Sequence, residues 1–346
     1  MSPARRSLSV LMITSEWPRD AGHTAHFIVR QARCLEDAGV QVEVFPFRGA
    51  KHPLNYVTAW WRVRRRLARE RFDLVHAQFG QSALLALPKQ LPLVVTFRGC
   101  DLQGMLGGRD GHLTTAGRML QRFCQWVARR ADAVIVVSAH MRRYLRHGVP
   151  AHVVPSGIDF DLFRPVPRAA ARVRLGLPAD ERLVLFVGNP HLPRKRFPLA
   201  QQAVEILSRT LPVRFVLGWG VPHAEMPYYM GACDALVFTS RQEGSPNAVK
   251  EALACNLPIV SVPVGDVVER LHGVAGCEVC ADDRPETIAA ALARVLARGG
   301  RIAGREAVRH LDERLITQQV LTIYRAALNG ARPAPEPLTA ARPPAA

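Results

Sequence analysis

The sequence lacks the features that define several large classes of protein. No run of eighteen apolar residues occurs among its 346 residues, which excludes a helix long enough to cross a bilayer. No Gly-x-Gly-x-x-Gly fingerprint occurs, which weighs against a dinucleotide-dependent enzyme. Acidic residues are scarce, 29 against 46 Lys and Arg, so the formal net charge is +17. This excess favours anionic partners such as nucleotide phosphates, anionic lipid or nucleic acid, although a GC-rich genome produces the same arginine-rich composition.

Cysteine is present without a disulfide pattern. The count is odd and the positions are scattered, which indicates reduced thiols in the cytoplasm: Cys34, Cys100, Cys124, Cys233, Cys255, Cys277 and Cys280. Cys277 and Cys280 have the spacing of a metal-ligand pair, but no second pair or histidine cluster accompanies them. We therefore predict a short strand there, with a metal or redox pair as the alternative.

The N-terminus is similar to a short signal peptide, but its apolar part is only about seven residues long. It runs directly into polar Ser15 and Glu16. We therefore predict a first strand instead of a cleaved leader, and a cytoplasmic protein.

Short apolar runs alternate with helical patterns along most of the chain. This alternation predicts an α/β fold with parallel sheets and right-handed crossovers. Strands are predicted at 9–14, 40–47, 74–77, 93–97, 133–137, 152–155, 183–187, 213–217, 235–238, 259–262 and 277–280. Helices are predicted at 24–38, 57–71, 113–130, 139–147, 198–209, 225–232, 286–297, 302–311 and 313–328.

Residues 155–167 interrupt this rhythm with three Pro and one Gly, and predict an interdomain linker. The Ala/Pro-rich residues 331–346 predict a disordered tail. In sheets of this type, ligands bind at the carboxyl ends of the strands, so two such halves place a site in the cleft between them.

The stretch 238–266 carries the strongest chemical signal. Ser245 is predicted as the N-cap of a helix and Pro246 as its first residue, so the helix start offers free N–H groups to an anion. Glu243 precedes this helix and Glu251 lies within it, where each carboxylate could accept hydrogen bonds from a sugar diol or lie on the surface. Lys250 is expected to point away from the apolar face.

Three other strand-to-helix loops are candidate parts of the ligand-binding site. Arg98-Gly-Cys-Asp101 carries a charged pair around a glycine, which favours a site or an ordinary turn with a surface ion pair. Arg194, Lys195 and Arg196 could hold a diphosphate or form a solvated basic turn. The segment 218–223 places glycine and tryptophan where a base could bind.

Glu243 and Glu251 have a Glu-x7-Glu spacing, and the run from Glu243 to residue 260 resembles the retaining GT-B glycosyltransferases of family four (glycosyl transferases group 1) at nearly every position. Shorter pieces resemble that family in the same order, at 14–18, 73–79, 131–138 and 154–165. The likeness spans residues 8–328 and implies two Rossmann-like domains with catalysis in the cleft between them.

The resemblance also implies a nucleotide diphosphate sugar as co-substrate, with no cofactor and usually no metal. It implies that Glu243 binds the transferred sugar, Glu251 the donor ribose, and that Lys195 with Arg194 neutralises the leaving diphosphate. Further donor-binding residues follow from the same resemblance: Gly22, Gly188, Asn189, Gly244, Ser245 and Asn247.

The chain departs from the family pattern at two positions. Members usually carry His at the position of Arg98, and often Arg where this chain has Asn189. Arg98 and Asp101 are therefore candidates for donor-sugar or acceptor contacts without the role of that histidine, and Arg194 is expected to supply the charge that Asn189 lacks.

From these observations we expect an acceptor-binding domain at 1–160, a nucleotide-sugar-binding domain at 161–312, and a final helix at 313–330 that packs back on the first domain. The expected reaction is retaining, metal-independent transfer of a hexose to a glycan or lipid-linked acceptor, as in bacterial envelope polysaccharide synthesis. Basic helical segments with aromatics, 59–72 and 118–130, favour contact with the inner face of the cytoplasmic membrane or a solvated basic surface. The alternatives are a GT-B epimerase or phosphorylase, or a non-catalytic membrane- or RNA-binding protein; nucleic acid is not the expected partner.

Overall fold

A computed structural model describes residues 7–18, 25–49, 52–107 and 111–330. The predicted donor-site residue Gly22 and the predicted disordered tail 331–346 lie outside these described residues. The domain boundaries given above stay predictions.

The first half of the chain forms a parallel sheet of six strands in the order β2-β1-β3-β4-β7-β8. Its strands, with a separate two-stranded ribbon β5–β6, are β1 (Ser9–Thr14), β2 (Gln41–Pro46), β3 (Leu74–Gln78), β4 (Leu93–Phe97), β5 (Leu106–Gly107), β6 (His112–Leu113), β7 (Ala133–Val136) and β8 (His152–Val153). Its helices are α1 (His26–Asp37), α2 (Pro53–Arg69), α3 (Cys100–Gln103) and α4 (Thr115–Ala128).

The second half forms a parallel sheet of five strands in the order β10-β9-β11-β12-β13. Its strands are β9 (Arg182–Val187), β10 (Val213–Gly218), β11 (Ala235–Phe238), β12 (Ile259–Ser261) and β13 (Glu278–Val279). Its helices are α5 (Arg168–Leu175), α6 (Phe197–Ser208), α7 (Met226–Ala232), α8 (Asn247–Ala254), α9 (Val267–Leu271), α10 (Pro285–Arg298), α11 (Gly304–Ala307) and α12 (Glu313–Leu328). Two parallel Rossmann-like sheets in one chain are the predicted fold class.

Burial explains why these segments adopt these conformations. All six residues of β1 are buried, as expected for a parallel strand covered on both faces. In α1 the buried residues Ile28, Ala32 and Leu35 recur at helical spacing, so one stripe of the helix faces the sheet. Because all the strands of each sheet run in the same direction, their carboxyl ends and the loops that follow meet at one edge.

The interdomain linker and the segment just before α12 connect the two halves and lie side by side. Ile158, in the linker, bridges Asp312 in parallel fashion, and its N–H donates to the Leu311 carbonyl oxygen at 2.8 Å. Glu313 then begins α12, and its carboxylate accepts a hydrogen bond from Arg30 Nε of α1 at 2.7 Å. The last helix therefore returns from the second sheet to pack against the first helix.

Several elements differ from the predictions. The predicted helix 139–147 is a 3-10 helix at Ala139–Tyr144, and the predicted helix 302–311 is divided into α11 and a 3-10 turn, Arg309–Leu311. Helix α5 has no predicted counterpart, because its Arg/Ala sequence buries only Ala171 and Arg172 and so lacks a clear apolar stripe. Among the described helices, none combines the length and apolar character needed to cross a membrane.

Candidate active site

A cavity of about 490 Å³ lies at the carboxyl ends of both sheets, between the two halves of the chain. Loops that follow strands of both sheets line it, and among their residues are Glu16 after β1, Arg98 after β4, Gly188 after β9, Trp219 after β10 and Glu243 after β11. This is the position that parallel α/β topology provides for a ligand.

Glu243, Lys195 and Arg194 form an ionic cluster on the wall contributed by the second half. Lys195 Nζ lies 2.5 Å from Glu243 Oε1, and Arg194 Nη1 lies 3.1 Å from the same oxygen. Two cations thus share one carboxylate oxygen, so the cluster keeps a net positive charge. Lys195 and Glu243 lie 48 positions apart in the sequence, and the fold brings them together near the start of α8.

The charge state of Glu243 follows from this environment. Burial raises the pKa of the carboxyl, but the positive charges of Lys195 and Arg194 and hydrogen bonds from Lys195 and Ser240 outweigh burial. The pKa of Glu243 therefore lies below its usual range, so the side chain is a carboxylate at neutral pH and not a proton donor.

Only two of the three consecutive cations face the cleft. Arg196 adopts a left-handed backbone conformation (φ 50°), and its Nε donates to the Thr239 carbonyl oxygen at 2.7 Å. Its guanidinium also pairs with Asp283, away from the cavity. The predicted basic run is therefore divided into Arg194 and Lys195 at the site and a structural Arg196.

Helix α8 begins later than predicted. Pro246, not Ser245, is at the N-cap, and Asn247 is the first helical residue. The predicted N-cap role of Ser245 is wrong, because its Oγ donates to Asp266 Oδ2 at 2.8 Å. The free N–H groups of the first turn therefore belong to residues 247–249; Ser245, Asn247 and Ala248 line the cavity.

Glu251 lies one turn further along the same helix and also lines the cavity. His223 Nε2 lies 3.6 Å from Glu251 Oε1. The His223 ring stacks on the ring of His26 from α1, with centroids 4.5 Å apart and planes inclined by 16°. The two halves therefore also meet at this end of the cleft, beside Trp219.

Arg98 lines the cavity from the first half. Its guanidinium donates to Gln78 Oε1, Gln31 Oε1 and Ser156 Oγ, and lies 4.6 Å from the centroid of the Phe27 ring. These contacts hold the side chain in one orientation, directed along the cleft wall.

Asp101 does not reach the cavity, and its predicted contact with donor sugar or acceptor is wrong. The side chain is fully buried, and its carboxylate accepts hydrogen bonds from the backbone N–H groups of Gly80, Arg98, Gly99 and Leu102. Asp101 therefore holds the loop after β4 in shape and orients Arg98 only through the backbone.

Gly188, Asn189 and Gly244 line the cavity, and their contact with the donor stays a prediction. Asn189 Oδ1 accepts from the His191 N–H at 2.9 Å, so the side chain shapes its own turn. At Gly244 a Cβ would lie 2.2 Å from the Arg98 carbonyl oxygen. Glycine is required there because the two halves approach each other backbone to backbone.

Sequence reasoning missed a polar network that holds this approach together. Ser138 Oγ donates to the Gly244 carbonyl oxygen at 2.8 Å, so it accepts from His140 Nδ1, also at 2.8 Å. His140 is therefore protonated on Nδ1, and its Nε2 accepts from Gln103 Nε2, which also donates to the Glu243 carbonyl oxygen at 2.9 Å. Burial, with the charge of Arg143, lowers the pKa of His140, which favours this neutral form.

The environment of Lys250 also differs from the prediction. It is 1% exposed instead of pointing to solvent, and its Nζ donates to the Ser156 carbonyl oxygen at 2.9 Å. Burial lowers the pKa of Lys250 to about 7. Helical spacing does not predict the burial of Lys250, because the segment that covers this side chain is the interdomain linker.

Within the described residues, no group of three or more His, Cys, Asp or Glu side chains could hold a metal ion. Cys277 and Cys280 are free thiols that flank the short strand β13, and burial raises the pKa of each to about 11. They belong to the packing of the second sheet, as the predicted strand requires.

Comparisons with known proteins agree with this architecture. The family model described as Glycosyltransferase Family 4 matches residues 8–162, and that described as Glycosyl transferases group 1 matches residues 214–298. A D-inositol 3-phosphate glycosyltransferase of Thermobispora bispora is 29% identical over 84% of this chain and 86% of its own length. A candidate teichuronic acid biosynthesis glycosyltransferase of Bacillus subtilis, TuaC, is 29% identical over 56% of this chain and 54% of its own length.

Solved structures share the fold. Sucrose-phosphate synthase from Thermosynechococcus elongatus superposes with a TM-score of 0.78 at 21% identity, over 93% of this chain and 99% of that one. Anabaena Alr3699/HepE, solved with UDP and glucose, superposes with a TM-score of 0.68 at 17% identity, over 92% of this chain and all of that one. With both halves matched in order and the two facing sheets in place, the chain belongs to glycosyltransferase family 4 and has the GT-B fold.

Proposed function

We propose that this glycosyltransferase moves a sugar, with retention of anomeric configuration, from a nucleotide diphosphate sugar to a glycan or lipid-linked acceptor in bacterial envelope polysaccharide synthesis. The observation that carries the proposal is the Lys195–Glu243–Arg194 cluster at the start of α8, in the cavity that Arg98 also lines. The cluster offers two cations and free helix N–H groups where a diphosphate would leave.

Without ligand, Glu243 neutralises part of the charge of Lys195 and Arg194. A bound diphosphate would take over both cations and free the carboxylate to accept hydrogen bonds from sugar hydroxyls. The first-turn N–H groups of α8 add partial positive charge at the same place. Glu251, one turn deeper, would meet the ribose hydroxyls.

Catalysis would rest on stabilising charge as it develops. The anomeric bond breaks towards an oxocarbenium-like state, and the departing diphosphate gains negative charge beside Lys195 and Arg194. The ionised state of Glu243 suits hydrogen bonding to the sugar and not proton donation. The acceptor hydroxyl would attack from the leaving-group face, and the departing phosphate would take its proton. These cations can do the work that a metal does elsewhere, so no cofactor is proposed.

The comparisons support the donor class more than the acceptor. Alr3699/HepE has been solved with UDP-glucose, and its fold matches this chain over nearly its whole length. The relatives in Thermobispora and Bacillus are named for inositol 3-phosphate and teichuronic acid, so the acceptor differs even among similar sequences.

The decisive experiment combines nucleotide binding with transfer. UDP-, GDP- and ADP-sugars are screened by thermal shift, because a true ligand raises the melting temperature by mass action. Glu243→Ala should lower the rate of sugar transfer about a hundredfold or more while leaving the fold intact. Full activity in that variant would refute the assignment, and release of an epimer or phosphate dependence with donor alone would favour the epimerase or phosphorylase alternatives.

A contact with an anionic membrane surface is a further part of the proposal. On α2 the exposed apolar residues Leu54, Val57 and Trp61 recur three and four residues apart, and exposed Arg65 continues the stripe. Such a face can bury its apolar side chains at the level of anionic headgroups. Salt-sensitive binding to vesicles of phosphatidylglycerol, weakened in Trp61→Ala, is the expected result; failure to bind at low salt would contradict it.

A further inference from the structure

Among the described residues that line the cleft, Arg98 is the cation whose side chain is held by neutral groups. Its Nε and Nη2 donate to Gln78 Oε1 at 3.0 and 2.6 Å, Nη2 also donates to Gln31 Oε1 at 2.9 Å, and Nη1 donates to Ser156 Oγ at 2.8 Å. A guanidinium has five N–H donors, so one N–H of Nη1 remains for a ligand.

The other cations that line the cavity are paired with carboxylates. Lys195 and Arg194 share Glu243, and Arg30 pairs with Asp159 and Glu313. Among the described residues, no carboxylate accepts a hydrogen bond from the Arg98 side chain. The difference matters because an anion that binds Arg98 does not have to displace a carboxylate from the guanidinium.

Two acidic residues act on Arg98 without contacting the guanidinium. Asp101 accepts from the Arg98 backbone N–H and is committed to the loop, and Glu16, which also lines the cavity, acts on Arg98 through its charge. Burial lowers the pKa of Arg98 to about 10, so the side chain stays protonated at neutral pH. Holding this charge in the cleft wall is costly unless a ligand compensates it.

We propose that Arg98 binds an anionic group, a carboxylate or a phosphate, on the sugar substrate that occupies the cleft. The proposal rests on the proposed function and specifies its substrate class. Gln31, Gln78, Ser156 and the Phe27 ring fix the plane of the guanidinium in advance, so little rotamer entropy is lost on binding. The anion belongs either to the transferred sugar or to the acceptor, because Arg98 projects from the first half at the point where its backbone touches Gly244.

The test separates these two sources. Nucleotides (UDP, GDP and ADP) are first titrated to find the one that binds. The donor arm then compares the matching nucleotide-glucose with the nucleotide-glucuronate. The acceptor arm compares myo-inositol with myo-inositol 1-phosphate, and glucose with glucuronate and glucose 6-phosphate, on the nucleotide-saturated enzyme.

The wild-type protein should bind the anionic member of at least one pair about tenfold more tightly. Arg98→Gln should remove that preference, so that it lowers the affinity for the anionic member about tenfold more than the affinity for the neutral member. Arg98→Lys keeps the charge but not the fork, so it should retain part of the preference. Exposed Arg209→Gln, which alters the net charge equally, serves as the matched control and should behave as wild type.

A structural role of Arg98 alone would lower both members of every pair equally, and Arg98→Lys would then offer no rescue; either result overturns the inference. Nucleotide binding with no anionic preference in either arm overturns it as well, while leaving the proposed function in place. Absence of any nucleotide binding would overturn the proposed function and the inference together.

Discussion

At the scale of single residues, the site is dominated by charges that depend on their neighbours. Glu243 is ionised because Lys195 and Arg194 outweigh the effect of its burial, and Asp101 is removed from the cavity because backbone N–H groups surround it. Two carboxylates that look alike in sequence, each near a glycine at a strand end, therefore have unrelated roles. Glu243 pairs with the cations Lys195 and Arg194, and Asp101 holds the loop after β4 in shape.

Lys250 yields a prediction about stability and pH. Its pKa is lowered from 10.5 to about 7 by burial, so between these values the unfolded chain binds a proton that the folded protein does not. Linkage then makes the Lys250 contribution to the free energy of unfolding rise with pH over this window, by at most about 1.4 kcal/mol per pH unit. Lys250→Met should lose this rise.

The measurement is urea unfolding of wild type and Lys250→Met at neutral pH and at a pH about two units higher. The stability difference should move in favour of wild type as the pH rises. Lys89→Met, at a partly exposed lysine paired with Asp132, is the matched control and should show no such trend. Parallel pH profiles for wild type and Lys250→Met would show that Lys250 stays charged in the folded protein.

At the scale of elements, helix α12 contributes more than a C-terminal cap. Tyr324, fully buried on this helix, has its hydroxyl 2.6 Å from Nδ1 of His76 on β3. His76 Nε2 lies 2.8 Å from Thr96 Oγ1 on β4. Burial lowers the pKa of His76 to about 3, so the ring is neutral and both nitrogens need these partners. A helix from the end of the chain thus completes the polar interior of the first sheet.

Tyr324→Phe should therefore destabilise the protein by about 1–3 kcal/mol, because it leaves a buried imidazole nitrogen unpaired. Chemical denaturation measures the change, with Tyr228→Phe as control, since Tyr228 is partly exposed and stacks under Arg174 without a hydrogen bond to its hydroxyl. Equal stability of the two variants would mean that a water molecule replaces the lost hydroxyl.

At the scale of the whole molecule, the two halves meet directly at the loop of Glu243 and Gly244. Gln103 and Ser138 of the first half bind the carbonyl oxygens of Glu243 and Gly244 in the second. Lys250 reaches the linker at Ser156, whose hydroxyl in turn accepts from Arg98. The contacts that join the two halves therefore also hold residues that line the cavity.

Ser138→Ala should weaken this contact between the halves without removing a side chain from the proposed nucleotide site. We expect kcat to fall by about threefold to tenfold, as loss of one hydrogen bond implies, while the Kd for the nucleotide stays within twofold of wild type. Steady-state kinetics with nucleotide titration separates the two effects. A matched loss of nucleotide affinity would place Ser138 in the binding site instead.

The class of fold and the location of the site could be predicted from the sequence, because both depend on local patterns. Buried parallel strands read as short apolar runs, helices read as stripes, and loops at strand ends follow from the order of these elements. Strands β1, β4 and β11 and helix α12 have the predicted bounds, and Glu243, Glu251, Lys195, Arg194 and Arg98 line the cavity.

Only the tertiary structure decided which polar groups meet. The shared oxygen of Glu243, the buried Lys250 and the neutral partners of Arg98 depend on segments far apart in sequence. The inward Asp101 depends on its own loop and on Gly80 of the loop after β3. Polar contacts between such segments leave no periodic signal, because each partner taken alone has the sequence pattern of an ordinary surface residue. The apolar periodicity of the sequence therefore determines the two sheets, and the tertiary contacts of the loops at their ends determine which polar groups meet in the cavity.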